Sequence, residues 1–175
     1  VPANASNLVI SELHYRPADV DASEMTAGFT DRDDFEFLEL MNSGTQTIDL
    51  SGVKFITGIT FDFATAGLRT LEPGARLLIV NDLAAFQERY GMAFSNQIAG
   101  EYTGNLSNDG ELITMVDASG TTIHSFTYND QLPWPEGPDG DGFTLVLIDP
   151  SQQPVLEHAA PASWRASGTV GGSPG

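Results

Sequence analysis

The sequence contains no cysteine, which excludes disulfide staples, thiolate nucleophiles and cysteine-based zinc sites. Positive charge is nearly as scarce. Lysine and arginine together number 7 against 24 aspartates and glutamates, a formal net charge of −17, and Lys54 is the only lysine. A surface of this sign repels phosphate backbones and attracts divalent metals and cationic ligands, so no nucleic acid is expected as a partner. Long apolar runs are missing too: none approaches the ~20 residues of a membrane helix, and no membrane insertion is expected. The opening Val1-Pro2-Ala3-Asn4-Ala5-Ser6 carries no basic and apolar leader, which reads as a processed chain or a domain cut from something longer. An acid excess with one lysine suits a salty, calcium-rich setting, and the expected location is secreted or cell-surface.

What remains supports one packed domain. The chain has 175 residues, 41% of them apolar and 18% charged, a balance compatible with a core. Leu8–Tyr15 reads as a strand closed by Arg16-Pro17, since proline removes a donor and disfavours helix before it. Residues 16–34 form a long acidic connection with few aliphatics. Phe35–Met41 is apolar on both faces, as in an interior strand, and Asn42-Ser43-Gly44 turns the chain. Strands follow at Ile48–Phe55 and at Ile59–Phe63, where apolar and polar residues alternate. Glu72-Pro73-Gly74 is a tight turn before Leu77–Val80. Asn81 or Asp82 can then cap a short helix at 82–90, because Leu83, Phe86 and Tyr90 share one face and Gly91 can end it. Glu111–Val116 and Thr122–Tyr128 flank Asp117–Gly120 as a hairpin. A Pro- and Gly-rich loop, 129–142, leads into a last strand, Phe143–Ile148. About eight short strands and one short helix predict an all-β, antiparallel β-sandwich, because a parallel sheet needs helices between most strands. Trp164 is expected to dock on it, while residues 1–7 and 167–175 read as linkers around a domain at 8–166.

Several segments, in order, resemble the lamin tail domain family. They are Phe35-Glu-Phe-Leu-Glu-Leu-Met-Asn42, Asp49-Leu-Ser-Gly-Val-Lys-Phe55, Leu71-Glu-Pro-Gly-Ala75 and Asn105-Leu-Ser-Asn-Asp-Gly-Glu-Leu-Ile113. Pro133-Trp134-Pro135, Asp139-Gly-Asp-Gly142, Ala162-Ser-Trp-Arg-Ala-Ser-Gly168 and Gly172-Ser-Pro-Gly175 are similar to its bacterial branch. The resemblance spans residues 8–175. It implies an immunoglobulin-like sandwich without the conserved disulfide, in secreted or surface multidomain proteins, with no catalytic residues of its own. The chromatin-binding role of eukaryotic relatives does not carry over, because the basic surface it requires is absent.

Two ligand chemistries are open. Calcium takes about six to eight carboxylate and carbonyl oxygens, and Asp19, Asp21, Asp31, Asp33, Asp34, Asp139 and Asp141 are the candidates. If successive strands run up and down, the 16–34 connection and the 129–142 loop emerge at one pole and their carboxylates can meet. Neither is an EF-hand: counting from Asp19, position six is Glu24 and position twelve is Thr30. The alternative is that these aspartates are solvated turn residues. Sugar or peptide binding instead needs an exposed platform of Trp134, Tyr102 or Tyr128, although Trp134 between two prolines equally suits a plug in the core. Glu39, in an apolar strand, needs an arginine or a backbone donor. His14, His124 and His158 lack helical metal-site spacing, and no Gly-x-Ser-x-Gly motif occurs. The expected function is a noncatalytic interaction, adhesion or spacer module, its partners neighbouring domains, surface proteins or glycans; the alternatives are a carbohydrate-binding module using exposed Trp and Tyr, and a hydrolase with a carboxylate pair, whose separation nothing in the sequence fixes.

Overall fold

A computed structural model describes residues 1–175. Twelve strands and two α-helices follow one another as β1 (Leu8–His14), α1 (Ala22–Ala27), β2 (Phe37–Asn42), β3 (Ile48–Asp49), β4 (Lys54–Thr57), β5 (Phe61–Asp62), β6 (Thr70–Leu71), β7 (Arg76–Val80), α2 (Leu83–Tyr90), β8 (Ile98–Glu101), β9 (Gly110–Val116), β10 (Thr122–Asn129), β11 (Leu145–Leu147) and β12 (Trp164–Ala166). They form a six-stranded sheet in the order β12-β11-β1-β2-β7-β8, a four-stranded sheet β10-β9-β4-β5, and a small β3-β6 pair. All pairings are antiparallel except β7 with β8, where Leu78 faces Ile98. The segment between those two strands contains α2, the kind of crossover a parallel pair requires.

β1 and β2 are buried along their whole length. Side chains such as Leu8, Ile10, Leu13, Leu38 and Leu40 enter the main core together with Phe55, Ile113, Phe126 and Trp164. On the sheet's other face Phe37, Leu78, Val80 and Phe86 form a second apolar cluster under α2. Each such side chain contributes roughly 1.5–3 kcal/mol by leaving water, and this double covering explains why β2 reads as apolar on both faces. The Asp82 carboxylate accepts from the Ala85 N–H at 2.8 Å and Gly91 closes the helix, so the sequence places α2 correctly, with Asp82 as its cap.

The acidic connection is not an open loop. Asp21 accepts from the N–H groups of Ser23 and Glu24, and the Glu24 side chain accepts from the Asp21 N–H, a reciprocal capping box that starts α1. The count exceeds about eight because the expected Ile48–Phe55 strand divides into β3 and β4, and because β6, β8 and β12, of two to four residues, are too short to display a period. The terminal segments are also corrected. Asp49 donates its N–H to the Val1 carbonyl at 2.8 Å, Ala3 donates back to Asp49 at 3.3 Å, and Ala3 is buried, so 1–7 is docked. The 167–175 segment is packed on the six-stranded sheet, as described next.

Candidate functional site

The acidic pole comes together differently from the calcium expectation. The 16–34 connection and the 129–142 loop do meet, but through an ion pair of Arg16 with Asp139 and a close approach of Gly142 to Ala18. An arginine sits where a metal was expected. Asp21 caps α1, Asp31 caps the turn at Arg32–Phe35, Asp19 pairs with Arg32 at 3.3 Å, and Asp141 is exposed. Asp33 lies between Arg32 (3.9 Å) and the Asn105 amide (3.5 Å). Burial, followed by the field of Asp31, pushes the carboxyls of Asp33 and Asp34 up. No three or more Asp, Glu or His side chains gather as a group able to hold a metal ion. Asp19, Asp21, Asp31 and Asp139 are each engaged in a different cap or ion pair, while Asp31, Asp33 and Asp34 share one turn without converging on a common point.

Beside this pole a cleft of about 470 Å³ opens between α1, α2 and the C-terminal segment, lined by Asp19, Asp21, Glu24, Arg89, Tyr90 and Gly171 among others. Its one cation is engaged. Arg89 donates through Nε and Nη2 to the two Glu24 oxygens at 2.6 and 2.8 Å and lies 3.6 Å above the Phe35 ring centroid. Arg89 thereby holds the Glu24 carboxyl below its ordinary range, against the opposing effect of burial. The pair ties α1 to α2 and leaves no free cation in the cleft for an anionic ligand.

The proposed aromatic platform does not exist. Trp134, Tyr102 and Tyr128 are 7%, 5% and 0% exposed. Trp134 belongs to the main core, which is the plug alternative. The Tyr128 ring lies 4.9 Å from that of Tyr15, and its hydroxyl donates to the Ser107 carbonyl at 2.7 Å. Tyr102 donates to Glu36 Oε2 at 2.9 Å. The three rings are part of the core, and the two tyrosine hydroxyls find partners inside the protein.

The most developed polar arrangement lies elsewhere, on the outer face of the six-stranded sheet. Glu12 and Glu39 are register partners across β1 and β2, and both are buried. Glu39 receives Ser11 Oγ–H at 2.5 Å, Arg76 Nη1 at 3.1 Å and the Gly175 N–H at 2.7 Å. Burial pushes its carboxyl up, and those same donors, Ser11 first, draw it back down. Glu12 receives Thr144 Oγ1–H at 2.5 Å, the Ser173 N–H at 2.9 Å and the Ser173 hydroxyl at 3.1 Å. The two carboxylates thus clasp the backbone of the 172–175 strap. Gly172 makes the close approach possible: a β-carbon there would sit 2.2 Å from Glu12 Oε1 and 2.4 Å from Thr144 Cγ2, at φ +84°. Sequence reasoning placed a partner at Glu39 and missed Glu12. Strict alternation places Glu12 on the face of Leu8 and Ile10, and only the register shift between Ile10 and Glu12 turns it away from the core.

Glu36 is another buried carboxyl group, and it collects the Leu106 N–H at 2.8 Å, the Tyr102 hydroxyl and the Asn81 amide on one oxygen. His14 and His158 are buried and His124 is half-buried. His14 Nδ1 meets the Tyr90 hydroxyl at 3.1 Å, whereas His124 and His158, distant in sequence, have ring centroids 4.1 Å apart. All these groups face the chain's own backbone or side chains, an arrangement suited to holding segments in place.

A search of curated proteins finds no match. The model of the Lamin Tail Domain matches residues 2–130, which include every strand from β1 to β9 and all of β10. That span is well over half the chain, and its immunoglobulin-like sandwich agrees with the two packed sheets. On these grounds, the chain belongs to the Lamin Tail Domain family.

Proposed function

We propose that this domain is a noncatalytic interaction and spacer module of a larger secreted or cell-surface bacterial protein, and that it fixes the geometry of what it joins. The supporting observation is the tying of both terminal segments to the sandwich. Residues 1–3 are hydrogen-bonded to Asp49, and the 172–175 strap is clasped by Glu12 and Glu39. A segment held by buried, charge-assisted hydrogen bonds does not behave as a flexible Gly/Ser linker. Its partners are then neighbouring domains, with surface proteins or glycans as further contacts, and a net charge of −17 disfavours nucleic acid.

A folded reporter fused directly after Gly175 tests the reading by pulsed electron-spin distance measurements between the sandwich and the reporter. A narrow distance distribution is expected, broadening in Glu12→Gln/Glu39→Gln. A distribution as broad as that of a Gly/Ser linker in the unaltered domain would overturn the spacer role. Substrate turnover abolished by one side-chain change would overturn the noncatalytic part.

A further inference from the structure

β1 is covered unevenly on the flank away from β2. β11 pairs there only with Glu12 and Leu13, so farther along that flank no strand accompanies Leu8 to Ile10. Side chains meet the backbone instead. His124, from the edge strand β10, donates through Nε2 to the Leu8 carbonyl at 2.7 Å. His158, from the connection between β11 and β12, brings Nε2 to 3.2 Å from the Ile10 N–H nitrogen and to the same distance from the Ile10 carbonyl oxygen. The two rings are inclined by 36° with centroids 4.1 Å apart. Trp164 completes the seam: its indole N–H donates to the His158 carbonyl at 2.8 Å, and its ring stacks on Phe126 at 5.8 Å. An open cavity of about 330 Å³, lined by Ile123, His124, Phe126, Leu156, Glu157 and His158 among others, brings solvent to the edge of this seam.

We propose that His124 and His158 form an acid-sensitive clasp, which holds the connection between β11 and β12 across the open flank of the sandwich and releases it when the imidazoles gain protons. With His158 neutral, its Nε2 lone pair accepts from the Ile10 N–H while its other nitrogen reaches the Leu156 carbonyl. A proton on Nε2 removes that acceptor and places a cation against the second imidazole in a largely buried seam, where charge is costly. Compensation is confined to two backbone carbonyls, Ile10 at 3.2 Å from Nε2 and Leu156, with no carboxylate against the ring. β1 presents backbone alone, β10 presents His124 and Phe126, β12 presents Trp164, and the connection presents the Leu156 carbonyl and Glu157. Glu157 is exposed at the solvent side.

Burial, then the field of His124, lowers His158 to about 3, and burial lowers His124 as well. The unfolded or released imidazole titrates near 6.5. Between pH 6.5 and about 3 the closed form therefore binds fewer protons than the open one. Closure accordingly weakens as pH falls through that window, by up to about tenfold per pH unit from His158, and His124 acts in the same direction.

Amide and indole hydrogen exchange, followed by NMR on the whole 175-residue domain from pH 7.5 to 4, tests the clasp. The Trp164 indole and the Ile10 amide are expected to lose protection at a higher pH than the core amide of Leu38. In His158→Gln, whose uncharged amide oxygen can still accept from Ile10, the early opening should move down by at least about one pH unit. His14→Gln, altering a buried histidine outside the seam, should leave it in place. One shared midpoint for Trp164, Ile10 and Leu38 would sink the proposal, as would a His158→Gln profile matching the unaltered protein. Should His158→Gln not fold, the imidazole carbon signals of the unaltered protein decide. Joint titration of His124 and His158 with the loss of Trp164 protection supports the clasp, and titration of either near pH 6.5 with Trp164 still protected refutes it.

Discussion

Glu36 carries an unusual burden for one side chain. Its Oε2 accepts three donors, from Leu106, Tyr102 and Asn81, while Oε1 is buried without a partner. Burial pushes the carboxyl up to about 8 despite those donors, so at neutral pH the folded protein holds it mainly as the neutral acid. A folded value above the unfolded one means that this group's stabilisation is fully present below about pH 4.5 and is lost as pH rises through about 8. Glu36→Gln keeps one accepting oxygen and removes the ionisation. It should therefore melt at or above the unaltered protein at pH 8.5, by about 1–3 kcal/mol, and flatten the decline of stability between pH 6 and 9. Thermal melts across that range check it, and an unchanged slope refutes it. Sequence reading placed Glu36 inside the interior strand Phe35–Met41 without assigning it a partner; only Leu106 and Tyr102, far along the chain, reveal how it is satisfied.

Among the elements, α2 and the β9–β10 hairpin were legible because their signals are local. Asp82, the Leu83–Phe86–Tyr90 face and Gly91 lie within one short stretch, and the hairpin strands flank Asp117–Gly120 directly. α1 was not legible. It has six residues and no apolar stripe, and it persists through its capping box and the Arg89–Glu24 pair, a contact across 65 positions. The strap was misread for a related reason: a Gly/Ser/Pro composition suits a linker until a sheet face offers it two buried carboxylates. Gly172→Ala tests the strap as an element. It introduces a β-carbon against Glu12 and Thr144 at a positive φ, and should cost about 1–3 kcal/mol with faster amide exchange at Ser173 and Gly175. Gly168→Ala, at a position open to solvent, should change neither. Equal effects of the two substitutions in melts and exchange would show that the strap is not specifically seated.

For the whole molecule, self-repulsion is the main long-range electrostatic effect, since a net charge of −17 is spread over one small sandwich. Screening should raise the melting temperature as salt increases. With no preformed group of carboxylates, calcium should add no more than about 1 °C beyond sodium chloride of equal ionic strength. Melts in calcium, in matched salt and in chelator check this, and a larger calcium-specific rise would show that the acidic pole rearranges around the ion. The sequence by itself determined the period-two strands, the one well-formed helix, the absence of disulfides and the sign of the surface, because these follow from composition or from neighbours along the chain. The tertiary structure alone decided that Trp134, Tyr102 and Tyr128 are interior, that Arg16 pairs with Asp139, and that Glu12 and Glu39 hold the strap. Those outcomes depend on which distant segments sheet order and packing bring into contact, and no local pattern encodes that proximity.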